Sequence, residues 1–193
     1  ALAMDVLARP DDRDWSALPP ERVDWSLDGA SVAGLRVGLL LDAGAGMPCD
    51  PAVRDVIASA ARLFESGGAQ VEPIEPWLTE AMLTDIDLFW RVRSWNDLLE
   101  LSPAARERVL PFVVRWAQGG SRASGVEVLR AYQSVMAMRA ATVAATTAYD
   151  LVLSPVAPVA AFAAEWPMPW DPVQDLGMAH IGFTVPFSMS GQP

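Results

Sequence analysis

LRVGLLL, residues 35–41, is apolar except for Arg36 and Gly38. It is as long as a strand and too short for a buried helix. It does not alternate, so it reads as a strand covered on both faces, the pattern of parallel sheets packed between helices. The next ten residues, DAGAGMPCDP (42–51), form a loop that ends on Asp50, a good helix N-cap, with Pro51 in the first turn, where proline is tolerated. The helix so opened places Val53, Ile57, Ala60, Ala61 and Phe64 on one face and stops at Gly67 and Gly68. AQVEPIEP (69–76) supplies a second short strand. Residues 34–76 therefore make a β-α-β unit, with a right-handed parallel crossover as the expected hand.

Before this unit, residues 1–33 read as a connector. DDRDWSALPPERVDWS (11–26) is polar and proline-rich, and Trp15 and Trp25 are its expected anchors on a surface. After it, residues 77–150 are helical. One helix is predicted from Trp77 to Leu101, with Leu78, Met82, Ile86, Phe89 and Trp90 apolar. A second is predicted over Ala104–Ala117. Ser124 and Glu127 fit a capping box for a third that runs to about Thr147. Its expected packing face is Val128, Leu129, Tyr132, Val135, Met136, Arg139 and Val143. YDLVLSPVAPV (149–159) returns to a buried strand at Leu151–Leu153, and EWPMPWDPVQD (165–175) is a loop. The closing segment, FTVPFSMSGQP (183–193), is apolar and uncharged. Strand, helix, strand, several helices, strand is the order of an α/β protein.

Composition narrows the function. The chain has 193 residues, 52 % of them hydrophobic, enough for a sizeable core. Its net charge of −10 argues against a nucleic-acid backbone or an anionic membrane as partner. All 14 basic residues are arginine, so no mechanism that needs lysine is complete within these residues. One Cys (Cys49) and one His (His180) exclude a disulfide framework and a Cys-rich or multi-His metal site within the chain. A single thiol suits a cytoplasmic protein, the expected location. The N-terminal residues lack the basic region of a secretory signal. The longest apolar stretch, Leu151 to Ala164, is too short for a membrane span and holds Pro155 and Pro158. Both termini read as cuts through structure.

Several segments suggest chemistry, and each has a plainer reading. GAGMPCD (44–50) opens a helix after a strand, as phosphate loops do. It lacks the glycine spacing of a dinucleotide fingerprint and the lysine of a P-loop, so it reads as a surface loop. Cys49 reads as a small half-buried thiol. GGSRASG (119–125) reads as a helix-to-helix turn capped by Ser124. His180 with Ser188 or Ser190 has no elbow motif to support a triad. Asp85 and Asp87 do not face each other on a helix and read as solvated. Trp166 and Trp170, beside prolines, would suit the rim of an apolar pocket.

Taken in order, GLRVGLLLDAG, DPAVRDVIASAARLFESGGAQVEPIEP, YDLVLSPVAPV and FTVPFSMSGQP resemble the C-terminal half of the amidase signature family. The resemblance covers nearly the whole chain. It implies a mixed sheet flanked by helices, present here as an incomplete half of one domain. It also implies hydrolysis of carbon–nitrogen amide bonds with no metal or organic cofactor. The family uses a Ser nucleophile, a bridging Ser in a cis peptide and a Lys base. None of these maps onto this chain, so its catalytic residues are expected upstream of Ala1. The family's pocket wall corresponds to the segment around residues 177–193, which makes Met178, Ile181, Phe183, Thr184 and Val185 the candidate substrate-binding residues. Residues 151–193 are then a strand and pocket-wall segment, and 77–150 a helical pocket region. Ser188 stands where the family often has Asn, which puts any bracing role of that side chain in doubt. The expected partner is a small-molecule amide, with a homodimer left open. The alternative readings are the catalytic component of an amidotransferase that works on tRNA, and a non-catalytic binding module. Open sheet edges are expected in the chain on its own.

Overall fold

The computed structural model describes residues 3–11, 13, 23–171 and 173–192. Trp15 lies outside them. Near the start is a four-residue helix, α1 (Met4–Leu7). The sheet consists of β1 (Arg36–Leu39), β2 (Gln70–Pro73) and β3 (Leu151–Leu153), in the order β2-β1-β3 and all parallel. Val37 sits opposite Val71 on one side and Leu151 on the other. Val37 is wholly buried and Gly38 is buried, so both faces of β1 are covered. A Cβ on Gly38 would run into the Ile74 and Tyr149 side chains. The apolar run at 35–41 thus has the environment its composition calls for.

The crossover helix is α2 (Pro51–Ser66). The Asp50 carboxylate accepts the Ala52 N–H at 2.8 Å, the capping bond read from sequence. Of its expected packing face, Ala61 is buried and Val53, Ile57, Ala60 and Phe64 are half-buried. Val56 and Leu63 are exposed.

The helical middle departs from expectation in two places. α3 (Glu80–Glu100) is capped by Thr79, whose hydroxyl accepts the Met82 N–H, and it buries Leu83, Ile86 and Leu98. The single helix expected over 104–117 is two: α4 (Pro103–Arg106) and α5 (Pro111–Gln118). Pro111 has no N–H to continue a helix and forces the preceding residue out of helical geometry, so Leu110 has ψ 130°.

α6 (Gly125–Thr146) opens with the complete capping box: the Ser124 N–H donates to the Glu127 carboxylate at 2.7 Å, and the Glu127 N–H donates to Ser124 Oγ at 3.3 Å. Of the expected face, only Val135 is buried, with Val128 half-buried. Ala131, Val135, Met138, Thr142 and Thr146 are buried, whereas Leu129, Tyr132, Met136 and Val143 are exposed. Small side chains let α6 approach α3 and the C-terminal helix α7 (Val185–Ser190) closely. Each buried threonine hydroxyl donates to the carbonyl four residues back, Thr142 to Met138 and Thr146 to Thr142, both at 2.8 Å. That satisfied pair makes a face with two threonines buriable.

Ala45, Leu78, Leu83, Ile86, Val135, Met138 and Val185 form one core cluster between α3, α6 and α7. Leu40, Ala43 and Phe183 form a second beside the sheet. A third gathers Leu98, Trp116 and Ala117 where α5 meets α3. Gly120, at the turn after α5, is buried against the α3 backbone. Among the described residues, no helix is long and apolar enough to cross a membrane.

Candidate substrate pocket

The β1–α2 loop, the first half of α3 and residues 175–179 enclose an open cleft of about 490 Å³. Loop and segment are tied by backbone. The Met47 N–H donates to the Ala179 carbonyl at 2.8 Å, and the Gly46 N–H donates to the Glu80 carboxylate at 3.0 Å. Gly46 has φ +87°, and a Cβ there would collide with the Ala179 carbonyl oxygen, so this close approach requires glycine. Two more loop donors are spent, Gly44 N–H on Asp42 and Asp50 N–H on the Pro158 carbonyl. With Gly44, Gly46, Met47 and Asp50 engaged and Pro48 lacking an N–H, GAGMPCD offers no continuous row of free N–H groups to cradle a phosphate. Ala43 and Ala45 are buried, so the loop is part of the core rather than plain surface.

One wall of the cleft holds an ion-pair network. Arg91 Nε donates to Asp87 at 2.5 Å, and its two terminal nitrogens donate to Asp175 at 2.9 and 2.7 Å. Arg91 also donates to the Trp116 carbonyl at 3.0 Å and lies over the Trp116 ring. Trp116 Nε1–H completes the set by donating to Asp87 at 3.0 Å. Asp87 is mostly buried, which corrects its reading as a solvated residue. The missed signal is its spacing of four from Arg91, which puts the pair on one helix face. The Arg91 hydrogen bonds hold the Asp175 carboxyl below its usual range against a smaller opposing effect of burial. With its donors engaged, Arg91 fastens residues 175–177 to α3 and has little left to offer an anion.

The five candidate wall residues lie along one turn and the start of α7. Met178 lines the cleft. Ile181, in a 3₁₀ turn (Ala179–Ile181), is half-buried and, like Met82, Phe89 and Met178, packs against the α3–α6–α7 cluster. The Thr184 hydroxyl donates to the Ile181 carbonyl at 3.2 Å, closing the turn. Phe183 and Val185 point into the core, 1 % and 3 % exposed. Of the five, Met178 alone lines the cleft; Ile181 and Thr184 are half-buried beside it, and Phe183 and Val185 stand in the core.

His180 is half-buried beside Trp170, ring centroids 5.4 Å apart and edge to face. Burial pushes its pKa down. Its Nδ1 and the Trp170 Nε1 are buried without a hydrogen-bond partner among the described residues. Trp170 is 5 % exposed, so it belongs to the core, whereas Trp166 is open to solvent. Ser188 is exposed, and Ser190 Oγ donates to the Phe187 carbonyl, so neither forms a pair with His180. Burial pushes the Cys49 thiol up, opposite to what an activated nucleophile needs. Among the described residues, no group of three His, Cys, Asp or Glu side chains is placed to hold a metal ion. A second cavity of about 430 Å³ lies beside β3, lined by Thr146, Tyr149, Leu151, Phe187 and Gln192 among others. The arrangement is suited to binding and positioning.

The fold has known counterparts. A bacterial aryl acylamidase of the amidase signature enzymes superposes with a TM-score of 0.70 at 21 % identity, over 94 % of this chain and 40 % of its own. The 6-aminohexanoate cyclic dimer hydrolase, complexed with substrate, gives 0.65 at 16 %, over 92 % and 42 %. The A-type component of the glutamyl-tRNA(Gln) amidotransferase of Thermotoga maritima gives 0.60 at 16 %, over 94 % and 39 %. The chain therefore spans about two fifths of the length of these structures. No curated protein sequence matches it. The family model described as Amidase matches residues 1–193, from end to end. The chain belongs to the amidase family.

Proposed function

We propose that these residues are the substrate-pocket portion of an amidase that hydrolyses carbon–nitrogen bonds of small amides, with the catalytic residues supplied by chain preceding Ala1. The observation that carries this reading is the family match along all 193 residues of a chain that contains no lysine. The proposed chemistry is that of the family. A hydroxyl is a weak nucleophile, and a neutral Lys relayed through a second Ser removes its proton as it attacks the amide carbon. Backbone N–H groups placed where the oxyanion develops stabilise the tetrahedral intermediate, which collapses with loss of the amine. Water then releases the acid. In this reading Met178 presents an apolar wall to the substrate, and Ile181, packed on the core cluster, supports it. Phe183, Thr184 and Val185 hold that wall from behind, through core burial and the Thr184–Ile181 hydrogen bond.

The test is hydrolysis of a panel of aryl and alkyl amides by the parent protein, with Ile181→Ala and Met178→Ala beside it. The expected result is turnover that is abolished by changing the Ser nucleophile and shifted in KM across the panel by the two wall variants. A parent without a Lys and a Gly/Ser-rich loop upstream, or wall variants that leave every KM unchanged, would overturn the reading.

A further inference from the structure

We infer that the cleft selects amides carrying a cationic amine on an alkyl arm, and that Glu80 is the residue that reads the charge. This deepens the proposed function and rests on the cleft being the substrate pocket. The charged groups in its lining are Glu80, Asp87, Asp175 and Arg91. They are not equally available. Arg91 spends its donors on Asp87, Asp175 and the Trp116 carbonyl, so a substrate carboxylate would meet three acids and no free cation. Asp87 also accepts from Trp116, and Asp175 from the Gly177 N–H at 3.1 Å. Glu80 differs. Its Oε1 accepts the Gly46 N–H at 3.0 Å, and its Oε2 accepts nothing from the described residues. The anchor is firm, because Gly46 is wedged at φ +87° against the Ala179 carbonyl. The carboxylate is thus held in the cleft with one oxygen unclaimed. Thr84 lies four residues on, on the same face of α3, and also lines the cleft. Its hydroxyl has no partner among the described residues. An ammonium group has three donors and no acceptor, so it matches two neighbouring acceptors, one of them charged. Met47, Leu176 and Met178 supply the apolar remainder of the lining, which suits the alkyl arm that joins the amine to the amide.

Calorimetric titration of the intact parent with pentylammonium, pentanol and pentanoate tests this. Pentylammonium is expected to bind about fivefold more tightly than either of the others, the size of a partly exposed ion pair. Glu80→Gln keeps an acceptor for the Gly46 N–H but loses the charge, and it should abolish that advantage. Thr84→Val should reduce it. Asp85→Asn, on α3 but outside the cleft lining, makes the same change of charge and should leave it intact. In turnover, amides with a terminal amine should show a KM about fivefold below that of their uncharged counterparts, and Glu80→Gln should erase the difference. Equal binding of the three probes overturns the inference. So does an ammonium preference that survives Glu80→Gln, or one that Asp85→Asn removes as well. The titration needs no turnover, so ammonium binding by a parent that hydrolyses no amide would sink the functional reading and leave this one standing. Hydrolysis of neutral amides by a parent blind to the ammonium group would do the reverse.

Discussion

Gly120 and Gly125 belong to the same turn, and alanine should have opposite effects at the two. A Cβ on Gly120 would stand 2.5 Å from the Val92 nitrogen and 2.6 Å from the Arg91 carbonyl carbon. Ordinary contact begins at 3.4 Å, so the turn would have to retreat from α3 by about 0.9 Å. Both obstructing atoms are helix backbone and cannot swing aside. Retreat would also loosen the Arg91 bond to the Trp116 carbonyl and the Trp116 bond to Asp87. Overpacking of this kind costs about 1–3 kcal/mol, and the position favours the upper end. The lower unfolded-state entropy of alanine returns about 0.4–1 kcal/mol. Gly120→Ala should therefore destabilise by about 2 kcal/mol, a fall in Tm of about 4–8 °C for a chain of this size. Gly125, the first residue of α6, has nothing within 4 Å of the added carbon. Gly125→Ala should raise stability by about 0.5 kcal/mol. Thermal unfolding followed by far-ultraviolet circular dichroism reads both. A Gly120→Ala protein within about 0.5 kcal/mol of the parent, or equal losses at both glycines, would refute the close packing of α5 on α3.

Thr142→Val keeps the shape but leaves Trp77 Nε1, now bonded to Thr142 Oγ1 at 2.9 Å, without its partner. A loss of about 1–3 kcal/mol in denaturant unfolding is expected, largely restored by Thr142→Ser; an unchanged midpoint would show that the bond contributes nothing. Asp175 has a folded pKa below its ordinary 3.8, so the stability it contributes is present above that pH and is lost as pH falls through the depressed folded value. Asp175→Asn should flatten the acid limb of the stability curve and cost at most about 1 kcal/mol at neutral pH, since the carboxylate is half exposed. His180 is also depressed, from 6.5, and the folded state resists its protonation. Its contribution is complete above pH 6.5 and falls as pH drops through the folded value, so His180→Phe should remove that slope; a persisting slope would place it on another group.

The sheet is legible in the sequence because each strand is apolar and bounded by turn residues, so local pattern and tertiary environment agree. Asp50 and Ser124 announce their helices because an N-cap bond is local: the cap and its N–H lie within three residues. α6 misleads because its sequence offers two apolar stripes. Leu129, Tyr132, Met136 and Val143 are larger than Ala131, Thr142 and Thr146, and size suggests burial. Close helix packing instead selects the smaller stripe, which no count of apolar residues discloses. Pro111 is visible in the sequence and is sufficient to divide 104–117. At the pocket, Met178 and Ile181 follow from family resemblance. Periodicity does not mark them, because the turn that carries them has no regular repeat. The Arg91–Asp175 pair spans 84 residues and becomes apparent only in three dimensions.

The central strand pairs with neighbours of very different age in the growing chain. β2 follows β1 after one helix, but the Arg36 N–H finds its Asp150 carboxylate 114 residues later. At about 5–20 residues per second, a ribosome needs several seconds or more to make that stretch. During that time one side of β1 remains unpaired, and Val37, wholly buried in the finished fold, still lacks part of its cover. Closing so long a loop also slows refolding of the whole chain, because its entropy is spent before the contact returns anything. The sheet is small, but its assembly waits on nearly the last quarter of these residues.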